Sequence, residues 1–131
     1  MRLICIGDSL TFGYGVHLSQ RWTRLCAQET GWELVNEGIN GDTTGGMLAR
    51  MQGGVLAELR EGGLGADRPY VLLMGGSNDV FYSGSDAAAR GNMGAMIHQL
   101  FSVGVLPVVG IPLPADAPHA PRAILKRRSG R

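Results

Sequence analysis

Four short, largely continuous apolar runs divide this chain at regular intervals: "RLICI" at 2–6, "WELVN" at 32–36, "YVLLM" at 70–74 and "VLPVVGI" at 105–111. Glycine or turn-forming residues follow each one. Such runs are too short for buried helices and read as strands. Continuous rather than alternating apolarity fits strands covered on both faces, hence a parallel sheet. Parallel neighbours need a crossover of about a dozen residues or more, usually a helix. The intervals between the runs have the spacing for one.

In the first interval Trp22, Leu25, Cys26 and Glu29 fall at i, i+3, i+4 and i+7, with Gly31 placed to stop a helix. In the second, Met47, Leu48, Met51, Val55, Leu56 and Leu59 form a stripe, with Thr44 as candidate N-cap and Gly62–Gly63 as terminator. A third helix is expected from Asp86 through Met93, Met96, Ile97, Leu100 and Phe101 to Gly104. Gly91 and Gly94 inside it each cost about 1 kcal/mol relative to alanine. Pro107 suits only the start of its strand or an edge. The pattern is an α/β fold of four strands and three helices, in one domain of 131 residues.

Composition narrows the class further. With 44% apolar and 18% charged residues the chain is neither disordered nor membrane-spanning. Its longest apolar stretch, Val103 to Pro114, is short for a bilayer and holds three prolines. Met1 to Ile6 runs straight into the first strand, so no secretory leader is read and a cytoplasmic location is expected. Cys5 and Cys26 are expected as reduced thiols. The net charge of +1 hides an asymmetry: residues 1–115 hold seven arginines against ten acids, and residues 116–131 hold five basic residues against Asp116. This basic tail reads as a solvated or non-native end, and no nucleic-acid partner is expected. Three scattered histidines and two distant cysteines lack metal-ligand spacing. "GGMLARMQGG" lacks the Lys-Ser/Thr pair of a phosphate loop. No metal or cofactor is expected.

Ligands of open parallel sheets bind beyond the carboxyl ends of the strands. Those positions carry "GDSLT", "EGINGDTT", "GGSNDV" and "PLPADAPH". A strand-to-helix turn at Gly7–Asp8 pushes Ser9 out at the sheet edge, near helix amides that favour developing negative charge. Acyl transfer needs donors about 3 Å from the oxyanion. The backbone N–H groups of Ser9 and Gly41 and the Asn78 carboxamide are donors of the right kind, one per loop. Asp8 and Asp79 are expected to bond turn amides or hold loops in place rather than transfer protons. His17 is read as a rim residue and His98 as solvent-facing.

"GDSL" at 7–10, the glycine of "NGDTT" at 40–44 and "GSND" at 76–79, in that order and spacing, resemble the first three sequence blocks of the SGNH (GDSL-type) esterase and lipase family. The resemblance covers residues 1–115. It implies a three-layer α/β/α flavodoxin-like sandwich around a parallel sheet, lacking the last strand and helix. It also implies Ser9 as nucleophile, with Ser9, Gly41 and Asn78 supplying the oxyanion hole. The family's base lies in a D-x-x-H block after a fifth strand. Here "DAPH", Asp116 to His119, matches the letters but directly follows the fourth strand. Either His119 acts as base with Asp116 orienting it, or the match is a coincidence on a loop of a truncated or frame-altered chain. Two functions follow. One is a serine-dependent hydrolase of carboxylic esters working on a small-molecule substrate. The other is an incomplete domain that binds ester or carbohydrate ligands without turnover. An incompletely covered sheet is expected to favour self-association.

Overall fold

A computed structural model of the chain describes residues 1–61 and 69–112. Asp116, His119 and the basic tail lie outside these residues, as do Gly62 and Gly63. Four parallel strands, β1 (Arg2–Gly7), β2 (Glu33–Gly38), β3 (Tyr70–Met74) and β4 (Pro107–Val109), form one sheet in the order β2-β1-β3-β4. The central strand β1 has Ile4, Cys5 and Ile6 wholly buried, as continuous apolarity predicts for a strand covered on both faces.

One face of the sheet, carrying Ile4, Ile6, Val71 and Leu73, packs against the crossover after β2 and the long helix before β4. That crossover is α3 (Thr44–Ala49), a π-helical stretch (Met51–Val55) and α4 (Leu56–Glu61). The long helix is α6 (Ala87–Ser102). Met47, Met51, Val55, Leu56, Leu59, Met96 and Leu100 complete this core. The expected stripe of the second helix therefore holds, through a bulge that the sequence did not announce. Gly53 and Gly54 lie within the π turn, where Leu56 N–H bonds Met51 O in an i→i+5 pattern.

The opposite face carries α1 (Ser9–Phe12) and α2 (Trp22–Thr30), which pack over β2. The sequence stripe of α2 is only partly right. Leu25 is 49% exposed, and the residue turned inward is Thr23, whose hydroxyl accepts from Asn36 Nδ2 at 3.2 Å. This helix lies over an edge strand with a polar residue at its centre, so its inner contact is a hydrogen bond. Phe101 is likewise exposed, because α6 buries its Met96–Leu100 line instead.

The fourth strand is shorter than the expected 105–111. Val105 is buried, yet its N–H bonds Leu100 O at 2.9 Å and so closes the helix instead of joining the ladder. Pairing then begins at Pro107 opposite Val71, and a proline as first residue of an edge strand forfeits no interior ladder bond. Both cysteines are free. Burial, with a smaller Coulombic push from Cys26, raises the Cys5 thiol to about 12 and keeps it neutral.

Candidate active site

Parallel register puts the ends of β1, β2 and β3 side by side, since Gly7 pairs with Gly38 on one flank and Met74 on the other. The loops that follow, carrying Ser9, Gly41 and Asn78, all leave from this one end of the sheet. The Ser9 loop is built first. Asp8 is the N-cap of α1, its Oδ1 accepting from Leu10 N–H at 2.9 Å, and Ser9 is the first helical residue. A four-residue helix leaves its carbonyls without intrahelical partners. Here distant side chains bond them: the Trp22 indole donates to Leu10 O and Thr11 O, each at 3.1 Å, and Asn36 Nδ2 donates to Thr11 O at 2.8 Å. Gly13, at φ 89°, closes the turn in a left-handed conformation and donates its N–H to Ser9 O at 2.9 Å.

Gly38 is the reason β2 can run two residues past its apolar segment. A Cβ there would stand 2.9 Å from Asp8 O and closer still to the Phe12 backbone, so α1 rests directly on strand backbone. Side-chain size at position 38 thereby fixes how deeply the Ser9 turn sits.

Gly41 is exposed, with φ 77°. An added Cβ would meet Tyr82 Oη at an ordinary 3.7 Å, so it is the left-handed backbone that favours glycine here. Beyond it, Thr43 rather than the expected Thr44 caps α3, its hydroxyl accepting from Gly46 N–H at 3.2 Å. Thr44 is displaced from that role because it is wholly buried and already held. Asp79 Oδ1 accepts from Thr44 N–H at 2.8 Å, Asp79 Oδ2 accepts from its hydroxyl at 2.6 Å, and Asn92 Nδ2 donates to the same hydroxyl at 3.1 Å. Asp79 holds two loops together, as the sequence reading expects, and Asp8 bonds a turn amide in the same spirit.

Asn78 is the second residue of α5 (Ser77–Ser83) and donates one Nδ2–H to Asp42 O at 2.8 Å. A carboxamide has two such donors, so one remains for a ligand. Asn78 and the backbone next to Gly41 are thus in direct contact, while Ser9 is joined to them through the strand ends. Among the described residues no side chain hydrogen-bonds the Ser9 hydroxyl. His17 Nδ1 shares a 2.8 Å bond with Ser19 Oγ, and His98 lies on the exposed face of α6.

Two features at this end of the molecule escape sequence reading. The first is Arg50, whose guanidinium bonds Gly7 O, Glu37 O and Asp42. Its only signal is a charge embedded in an apolar helical stripe. The second is a cleft of about 260 Å³ on the far side of the Asn78 loop, walled by Gly76, Val80, Ala89, Met93, Val109 and Ile111 among others. Ser9 and Gly41 are not in its walls. No group of His, Cys, Asp and Glu among the described residues is arranged to hold a metal ion, and no described helix is long and apolar enough to cross a membrane.

This arrangement of a serine turn, a left-handed glycine and an asparagine at successive strand ends accompanies a match to the GDSL-like Lipase/Acylhydrolase family across residues 5–130. The chain belongs to this family. A curated relative of this GDSL-like chain, Esterase TesA of Pseudomonas aeruginosa, is 30% identical over 129 residues. That alignment takes in 93% of this chain and 59% of the relative, so the chain spans about three fifths of the relative's length. A crystal structure of TesA superposes with a TM-score of 0.75 at 29% identity, covering 99% of this chain and 71% of the other. A protein of the G-D-S-L family from Desulfitobacterium hafniense DCB-2 superposes with a TM-score of 0.79 at 24% identity, covering 97% of this chain and 66% of that one. This second likeness bears on the GDSL fold alone.

Proposed function

We propose that the protein hydrolyses carboxylic esters through an acyl-serine intermediate on Ser9. Membership of the GDSL-like family and 30% identity to a protein named an esterase support ester chemistry in general. The observation that carries the specific reading is the contact between Asn78 Nδ2 and Asp42 O, which aims a side-chain amide at the loop of Gly41 next to the Ser9 turn. Ser9 Oγ attacks the ester carbonyl. The oxyanion is received by the Ser9 and Gly41 N–H groups and by the second Nδ2–H of Asn78, and loss of one such donor costs about 10²–10³ in turnover in other hydrolases. The C–O bond to the alkoxide breaks, and the proton lost by Ser9 leaves with it as the alcohol. Water then attacks the acyl-enzyme, its hydroxyl leaving as the carboxylic acid and its proton returning to Ser9 Oγ.

The first test is incubation with a short-chain chromogenic ester and with a serine-reactive phosphonate. Turnover, with phosphonate mass localised to Ser9 and both lost in Ser9→Ala, is the expected result. Unmodified protein with no turnover removes the proposal. Unmodified protein that still binds the ester without turnover supports the binding-only alternative. A serine at its ordinary acidity needs a base to become nucleophilic. His119→Ala set beside Ser9→Ala decides whether the D-x-x-H letters at 116–119 provide it. Equal losses assign the base to His119, and a loss confined to Ser9→Ala places it elsewhere, for example on a second copy.

A further inference from the structure

Arg50 ends α3 and points its side chain back across the ends of two strands. Its NH2 donates to Gly7 O at 2.9 Å, its NH1 to Glu37 O at 2.7 Å, and its Nε to Asp42 Oδ2 at 2.9 Å, with NH2 also 2.9 Å from that oxygen. The Arg50 and Asp42 side chains are only 21% and 13% exposed. A shielded pair, here with two guanidinium nitrogens reaching one carboxylate oxygen, is stronger than a surface ion pair. All three anchor points adjoin the candidate site. Gly7 lies two residues before Ser9, Glu37 is the neighbour of Gly38 on which α1 rests, and Asp42 directly follows Gly41. Asp42 is held at both ends, its carboxylate by Arg50 and its carbonyl by Asn78.

We propose that Arg50 is a positioning residue: it ties the end of β1, the end of β2 and Asp42 to one planar group, and so sets the separation of the Ser9 and Gly41 amides. The inference rests on the acyl-serine reading above. Arg50 itself touches neither the hydroxyl nor the substrate. Its effect is on where the oxyanion donors stand, so it acts on the transition state and leaves substrate binding largely alone. Lysine keeps the charge but has a single nitrogen, and one point donor cannot span three acceptors in the plane of a guanidinium.

The test compares wild type, Arg50→Lys and Asp42→Asn for rate of phosphonate labelling at Ser9, for kcat and KM on a chromogenic ester, and for urea midpoint. The expected result is a folded Arg50→Lys with labelling and kcat slowed about 10²-fold, as for loss of an oxyanion donor, and with KM near that of wild type. Asp42→Asn should give a smaller loss in the same parameter, and it supplies the reading if Arg50→Lys does not fold. Wild type that labels, together with an Arg50→Lys that labels equally fast or loses only in KM, overturns the assignment of Arg50 and leaves the Ser9 reading standing. Wild type that does not label overturns both.

Discussion

At the scale of single residues the site is held by buried polar groups whose partners come from other loops. Asp79 is the clearest. It is 7% exposed and satisfies both the N–H and the hydroxyl of Thr44, which has no exposure at all. Removing an acceptor from a buried donor costs about 1–3 kcal/mol, so Asp79→Ala should lower stability by about that much for each donor left unpaired. Urea denaturation measures the loss, and a midpoint equal to wild type would show that Thr44 finds other partners. The sequence disclosed Asp79 as a loop holder, because a carboxylate beside the Asn of "GSND" has turn amides nearby. It did not disclose Thr44 as the residue held. Two adjacent threonines before a helix have the same capping chemistry, and only the position of Asp79, 35 residues away, decides which is free to cap. Arg50 was silent for the same reason: its acceptors are strand-end carbonyls of residues 7 and 37, which local pattern cannot bring together.

Among the elements, strands and long helices were legible and short helices were not. An unbroken apolar run of five residues leaves little choice but a buried strand, and the 3.6-residue stripe around Met47 to Leu59 survives a π turn because the same side chains still face the sheet. By contrast α1 and α5 have four and seven residues, and their cross-links to Trp22, Asn36, Asp42 and Thr44 are tertiary. The long helix α6 offers a direct test of the balance between propensity and packing. Gly91 and Gly94 lie within it with open space where a Cβ would be. Since glycine in a helix interior is worse than alanine by about 1 kcal/mol, Gly91→Ala and Gly94→Ala should each stabilise by about that amount. A rise in urea midpoint for both is the expected outcome, and a fall for either would mean that the helix needs backbone freedom there.

For the molecule as a whole, the β2 side of the sheet has a charge imbalance with a pH signature. Glu58 bonds Arg2 at 3.0 Å, yet burial first, and then repulsion by Glu37, push its carboxyl above the usual carboxylate range. A raised pKa means that the fold prefers the protonated form. The contribution is fully present below the unfolded value near 4.5 and is lost as pH rises through the raised folded value. Wild-type stability should therefore fall across that window, Glu58→Gln should flatten the fall, and urea midpoints taken at stepped pH give the comparison. The other edge is apolar: Val108 and Val109 on β4, and Leu106 and Ile111 flanking it, are exposed, and exposed apolar surface favours self-association. Between these edges, register gathers three strand ends into one site. The most direct test of this gathering is amide NMR of the protein before and after phosphonylation at Ser9. The backbone N–H signals of Ser9 and Gly41 and one side-chain N–H of Asn78 should move downfield together as they bond the phosphonyl oxygen. Modification that leaves Gly41 or Asn78 unmoved would contradict a shared site.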